Sequence, residues 1–262
     1  MSAESACCPP GSHGAPPEFH FDEANKPQGI RFELGKTKTP CYYIGPSSTT
    51  TEEPVNLGIV VYTDVWGFKS RNHIICDYLA KNGNYHVLVM DCFRGETMGD
   101  HKHDFVEWLQ KTPYDPYVAQ DTAVCLDYLN DKGVTKFGAL GFCWGAFAIG
   151  KSTLAGVPWE VAVSPHPAFK VEKVAFNGDD VALMQSIKCP LLLLPADNDL
   201  DYTKPDSPEF QVMKERGGKS ILYKDMSHGW LTRGDMSDPL IKRDVESSLV
   251  HILEFYLLHL KN

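Results

Sequence analysis

The chain has 262 residues, of which 43% are hydrophobic and 23% charged, with a formal net charge of −9. That is enough apolar residue for one large core without metal or disulfide staples. The acidic balance argues against a nucleic-acid partner, which would need a basic face to displace counterions. With no apolar run of about 18 residues, and an N-terminus (MSAESACCPPGSHGAPPE) without the basic start and apolar stretch of a secretory signal, a cytoplasmic protein with no membrane partner is expected.

Residues 1–29 are rich in Pro, Gly and short polar residues, and read as an irregular N-terminal arm preceding a domain over 30–262. The eight cysteines are scattered, several within apolar runs, which suits buried thiols in a reducing compartment. The adjacent Cys7 and Cys8 are expected to lie in a loosely ordered tail, because no C-x-x-C partner follows them to suggest a metal site.

Thr39–Gly45 reads as a strand. Leu57–Tyr62 and Tyr85–Met90 are short apolar runs typical of strands buried on both faces. Between them, Asn72–Asn82 carries Ile74, Ile75, Tyr78 and Leu79 at helical spacing, and Tyr114–Asp131 predicts a second helix through Val118, Val124, Cys125, Leu126 and Leu129. Further strands are predicted at Lys136–Leu140, Trp159–Val163, Pro190–Leu194 and Ser220–Tyr223, with helical patterns between them and a closing helix over Pro239–Leu260. This alternation predicts a single-domain α/β fold, a mainly parallel sheet with helices on both faces. In such sheets, function gathers beyond the carboxyl ends of the strands.

The most informative segment is FGALGFCWGA. A strand runs into Gly141-Phe142-Cys143-Trp144-Gly145 and an apolar helix follows. This is the G-x-S-x-G nucleophile elbow with cysteine at the nucleophile position. Glycines there let strand and helix approach closely, and a helix N-terminus beside the sulfur favours thiolate. After a later strand comes Pro195-Ala196-Asp197-Asn198-Asp199-Leu200-Asp201, and after the next comes Ser227-His228-Gly229-Trp230. Nucleophile, acid and histidine thus follow one another in the chain order of α/β-hydrolases. The acidic run is not a calcium loop, since Tyr202 and Pro208 stand where an EF-hand needs glycine and glutamate. His101 and His103 beside Asp104 read as a solvated helix start, so no metal is expected.

LGFCWGA and SHGW, with Cys143, an aspartate and His228 in that order, resemble the dienelactone hydrolase family, carboxymethylenebutenolidase-like members of the α/β-hydrolase superfamily, over roughly residues 30–260. The resemblance implies an enzyme that opens small carboxylic esters or enol-lactones without a cofactor, with Asp199 completing a Cys–His–Asp triad. It also implies a thiol-activating acid at Asp64 in the turn Val61–Gly67, where the best-known members carry glutamate, one methylene longer. Arg94, in Asp91-Cys92-Phe93-Arg94, becomes a candidate for binding a substrate carboxylate and for pairing with Asp64, and Arg233 a second arginine of similar role. Both suit an anionic substrate, since the guanidinium fork matches a carboxylate. The implied mechanism is acyl transfer, with the backbone N–H groups of Val65 and Trp144 as oxyanion hole. Trp66, Trp144, Trp230 and His166 border the proposed site loops, and Trp66 and His166 are expected to line the pocket.

Other readings are a thiol redox sensor, a ligand-binding pseudo-hydrolase, and a hydrolase of another bond such as a glycoside. The first is disfavoured by the absence of a resolving cysteine within two or three residues of Cys143, and the second by a triad that is complete in chain order. Oligomeric state is not legible in these residues.

Overall fold

A computed structural model describes residues 7–17, 26–47 and 55–260; residues 1–6 and 18–25 of the arm lie outside the described residues. In chain order the elements are β1 (Ile30–Leu34), β2 (Thr39–Ile44), β3 (Leu57–Tyr62), α1 (Asn72–Gly83), β4 (His86–Met90), α2 (Phe105–Gln110), α3 (Ala119–Asn130), β5 (Lys136–Gly141), α4 (Trp144–Leu154) and β6 (Trp159–Pro165). They continue with α5 (Val171–Phe176), α6 (Asp180–Gln185), β7 (Leu191–Leu194), α7 (Pro208–Glu215), β8 (Lys219–Ser220), α8 (Trp230–Arg233) and α9 (Pro239–Leu260). The strands form one sheet in the order β1-β2-β4-β3-β5-β6-β7-β8. β1 and β2 run antiparallel to their neighbours, and the other pairings are parallel.

Both faces of the sheet are covered, which is why its strands read as continuous apolar runs. Side chains alternate between two cores: Val60, Tyr62, Leu88, Met90, Leu191 and Leu193 on one face, Ile59, Val61, Val87, Val89, Leu192 and Leu194 on the other. The second face is capped by α9, whose Tyr256 hydroxyl donates to the carbonyl of Ala139 at 2.7 Å.

Two predicted elements differ from the structure. The helix expected from Tyr114 begins regularly only at Ala119, because Pro116 has no N–H to donate and Asp115 before it is extended (φ −105°, ψ 127°). The strand expected over Ser220–Tyr223 pairs only at Lys219 and Ser220, then rejoins the sheet as an isolated bridge between Tyr223 and Ala196. An edge strand has one neighbour to hold it, so its ladder breaks easily.

The loops after β3, β4, β5, β6, β7 and β8 carry Asp64, Arg94, Cys143, His166, Asp199 and His228, all at the carboxyl end of the parallel strands. Between β5 and α4 the chain turns through Cys143 at φ 52°, ψ −110°, a sparsely populated region for any residue with a side chain. Two glycines make that turn possible. A Cβ on Gly141 would stand 2.4 Å from the carbonyl oxygen of Gly145, and one on Gly145 would stand 2.7 Å from that of Tyr62. Gly145→Ala is therefore expected to lower unfolding free energy by about 1–3 kcal/mol through overpacking against backbone. Gly14→Ala, which meets nothing within 4 Å, should stay within ~0.5 kcal/mol. Denaturant titration of the two variants checks the difference.

Candidate active site

The acid and the histidine meet as the chain order suggests. Asp199 Oδ1 lies 2.6 Å from His228 Nδ1, with both side chains buried. Asp199 Oδ2 accepts from the backbone N–H of Ala196 at 2.7 Å, so both carboxylate oxygens are anchored. Its neighbours do not compete: Asp197 is exposed, and exposed Asp201 pairs with Lys204 at 2.8 Å. Asn198 ties the loops together by accepting from the backbone N–H of His228 at 2.7 Å. Burial works to lower the His228 imidazole, but Cys143 and Asp199 beside it outweigh burial and hold it well above its ordinary 6.5.

His228 leaves Nε2 without a hydrogen bond of normal geometry, although it lies within side-chain reach of Cys143. The backbone N–H groups of Val65 and Trp144, the latter opening α4, bond to no acceptor among the described residues. They remain available to an incoming oxygen.

Asp64 occupies a different environment from the one expected. Its carboxylate accepts from the Trp66 N–H at 2.9 Å, the Ser70 hydroxyl at 2.8 and 3.0 Å, the Thr232 hydroxyl at 2.7 Å and Arg233 Nη1 at 2.5 Å. The Asp64–Arg233 pair is wholly buried. The expected partnership of Arg94 with Asp64 is not formed. Arg94 instead holds Asp121 through two N–H groups at 2.9 and 3.1 Å, and its guanidinium lies 4.5 Å from the Tyr117 ring centroid. Chain position could not separate the two arginines; α8 carries Arg233 inward, whereas Arg94 sits half-exposed at the rim. Arg233 keeps one unsatisfied nitrogen, Nη2, in the buried interior.

The loop bearing Arg233 is itself clamped by Arg71, a residue that stands out in no sequence pattern. Arg71 Nη1 donates to the carbonyl of Leu231 at 2.9 Å, Nη2 donates to that of Gly234, and burial lowers its pKa to about 10.

His166, at φ 38° beyond β6, stacks on Phe142 and presents its ring edge to His228, centroids 5.1 Å apart. Burial pushes its pKa well below 6.5, and the nearby His228 and Arg233 charges push it the same way, so it is neutral at physiological pH. Trp66 lies at the base of a surface groove with Arg31, Lys69 and Arg94, and Trp144 packs edge-on against Phe93 with centroids 4.8 Å apart. His101 bonds Glu96 and Asp104 and stacks on Trp108.

The arm overturns the expectation of a loose tail. Cys7 and Cys8 are 0% and 2% exposed, packed against a Cys143 that is itself 0% exposed, and the three Sγ atoms all lie within 4.8 Å of one another. Spacing along the chain could not reveal this, since Cys7 and Cys8 stand more than 130 positions before Cys143. Three hydrogen bonds fasten it to the domain: His13 N–H donates to the His228 carbonyl at 2.9 Å, Arg233 Nε to the His13 carbonyl at 3.1 Å, and Asn198 Nδ2 to the Pro10 carbonyl at 3.0 Å. Burial pushes the Cys143 thiol up, whereas hydrogen bonds from Cys143 and Cys7 pull Cys8 well below the ordinary thiol value.

A parallel sheet with a cysteine elbow and an acid–histidine pair beyond its strand ends defines an α/β-hydrolase. The model of the dienelactone hydrolase family matches residues 43–255, and the chain belongs to that family of carboxylic ester and lactone hydrolases. It is 27% identical over 232 residues to "Hydrolase tropI" of Talaromyces stipitatus, covering 82% of this chain and 86% of that one. It is 29% identical over 216 residues to the human "Carboxymethylenebutenolidase homolog", covering 78% and 84% respectively. Among solved structures, a candidate dienelactone hydrolase from Klebsiella pneumoniae superposes with a TM-score of 0.64 at 19% identity, over 87% of this chain and 97% of that one. No helix among the described residues is long and apolar enough to cross a membrane.

Removing one member of a buried ion pair strands the other, at a cost of about 3–5 kcal/mol. Asp64→Asn should destabilise the protein by that order, and the double variant Asp64→Asn/Arg233→Met should recover part of the loss. Urea unfolding of the wild type, Asp64→Asn, Arg233→Met and the double variant gives the cycle; a double variant as unstable as the sum of the two single ones would show that the two side chains are not coupled.

Proposed function

We propose that this chain hydrolyses small carboxylic esters or enol-lactones through an acyl-enzyme on Cys143. The observation that carries the reading is the buried 2.6 Å contact of Asp199 with His228 beside a cysteine in the elbow conformation. His228 takes the Cys143 proton through Nε2, and Asp199 fixes the tautomer and supports the imidazolium, as in serine triads. The thiolate attacks the carbonyl, and the N–H groups of Val65 and Trp144 hold the oxyanion. The tetrahedral intermediate collapses to a thioester as the alcohol oxygen leaves with the proton from His228; the neutral imidazole then takes a proton from water, which cleaves the thioester, releases the acid and returns the thiol, with no cofactor required. Because the arm covers the thiol, turnover requires the arm to be displaced.

An anionic substrate suits the charges around the site. Arg233 has a buried nitrogen to spare, and Arg31, Lys69 and Arg94 line the neighbouring groove. A substrate carboxylate would take the free Nη2 of Arg233 while Nη1 stays on Asp64. Asp64 in this scheme acts chiefly through Arg233, its five accepted hydrogen bonds leaving it little capacity for a thiol proton.

A second reading, a thiol redox sensor, gains one observation. The resolving cysteine missing from the elbow's sequence neighbourhood is supplied in space by Cys7 and Cys8. An ester and lactone panel decides between the two. Cys143→Ala should lower hydrolysis of the best substrate at least about a thousandfold, as loss of a nucleophile does elsewhere; an undiminished rate would remove Cys143 from the chemistry, and absence of turnover by the wild type would favour the sensor.

Carboxylate-bearing lactones should be turned over with kcat/KM about tenfold higher than their neutral methyl esters, a difference of ~1.4 kcal/mol. Arg233→Lys, which keeps the charge but loses the fork, should erode that preference. Equal rates on the two substrates in the wild type would leave the arginines a structural role only.

A further inference from the structure

The arm brings to the elbow two thiols, Cys7 and Cys8, that ester hydrolysis does not use. Cys7, Cys8 and Cys143 converge with all three Sγ atoms within 4.8 Å of one another. His228 lies within side-chain reach of both Cys8 and Cys143, is wholly buried, and has an Nε2 with no hydrogen-bond partner of normal geometry. Three thiols facing one another in a dry interior, with an imidazole in side-chain reach of two of them, make a poor hydrogen-bonded core, because thiols are weak donors and acceptors. Three sulfurs and one nitrogen make a good tetrahedral ligand set.

We propose that Cys7, Cys8, Cys143 and His228 Nε2 form a binding site for one soft divalent cation, Zn2+ in chemical class, which pins the arm over Cys143 and withholds it from substrate.

Four features of the structure support the site. The first is size: Zn–S bonds of about 2.3 Å place sulfurs about 3.8 Å apart in a tetrahedron, within the observed spread. The 3.2 Å between the Cys7 and Cys8 sulfurs opens to that value by small rotations of two short side chains. The second is orientation. A metal-binding histidine usually gives its other ring N–H to a carboxylate, and Asp199 already holds Nδ1 at 2.6 Å, turning Nε2 toward the sulfurs. The third is preorganisation: the arm backbone is fastened by His228, Arg233 and Asn198 independently of its thiols, so its cysteines are delivered in place. The fourth is charge. A divalent ion with three thiolates carries one net negative charge, and the buried Arg233 guanidinium acts on both Cys8 and Cys143 as a counter-charge.

Binding forms three metal–sulfur bonds and one metal–nitrogen bond and releases to solvent the thiol protons and any proton on His228 Nε2, with no change of oxidation state. Because Cys143 is both ligand and nucleophile, the bound ion and the acyl-enzyme exclude each other. The inference concerns binding, and its test needs no substrate.

Reduced, metal-free full-length protein is titrated with Co2+, and Cys143 alkylation by iodoacetamide is followed by mass spectrometry with and without Zn2+. Expected are one equivalent of Co2+ with the intense visible bands of tetrahedral thiolate coordination, displaced by Zn2+. Zn2+ at ~10 times its Kd should slow alkylation of Cys143 about tenfold, and a chelator should restore it. Cys7→Ser/Cys8→Ser, with an unchanged circular dichroism spectrum, should lose both the bands and the protection; His228→Asn should shift the bands as its nitrogen is replaced. The proposal is overturned if the reduced wild type shows no thiolate–cobalt band, or if the band survives in Cys7→Ser/Cys8→Ser. It is equally overturned if the protein as purified proves two hydrogens lighter, with a disulfide mapped between Cys143 and an arm cysteine, and binds no Co2+ after reduction; the arm would then be an oxidative switch.

Discussion

The site depends on one backbone turn. At Cys143 the chain adopts a conformation that costs on the order of 1–3 kcal/mol for a residue with a side chain, and the surroundings must hold it there. The Phe142 N–H reaches the Tyr62 carbonyl at 3.2 Å, the Ala168 N–H reaches the Cys143 carbonyl at 3.0 Å, and the Ser164 hydroxyl reaches the Gly141 carbonyl at 2.6 Å. Three neighbouring strands of the sheet thus meet at the elbow. The strain is absorbed among interior strands of the sheet, and the sulfur is set at the N-terminus of α4.

Around this fixed point the other groups arrive on loops that are each tied to another. Asn198 bridges the acid loop, the histidine loop and the arm. Arg71 clamps the loop of Arg233, and Arg233 in turn holds Asp64 and the arm's His13 carbonyl. Buried charges demand such satisfaction, because an unpaired one would cost several kcal/mol. The effect is a network in which the arm is a full participant. The described stretch of the arm, residues 7–17, packs its two cysteines over the buried Cys143 thiol.

The same network explains why the two arginines separate in role. Arg94 lies on the loop after β4, within reach of α3, and finds Asp121 there. Arg233 rides on α8 directly beyond the histidine and is driven into the interior, where Asp64 is the available counter-ion. Both follow a strand end and both can bind carboxylates; burial decides which one is committed to the centre.

The sequence by itself determined the α/β class, the succession of buried strands, the elbow at Cys143 and the order of acid and histidine. These rest on local rules: apolar periodicity, glycines where strand and helix collide, and loops beyond strand ends. Tertiary structure alone decided that Asp199 and not its neighbours faces His228, that Asp64 pairs with Arg233 rather than Arg94, and that Cys7 and Cys8 close over Cys143. Each of those is a contact between segments far apart in the chain, chosen by which buried charge or thiol finds a partner once the sheet has formed, and no spacing along the sequence encodes it.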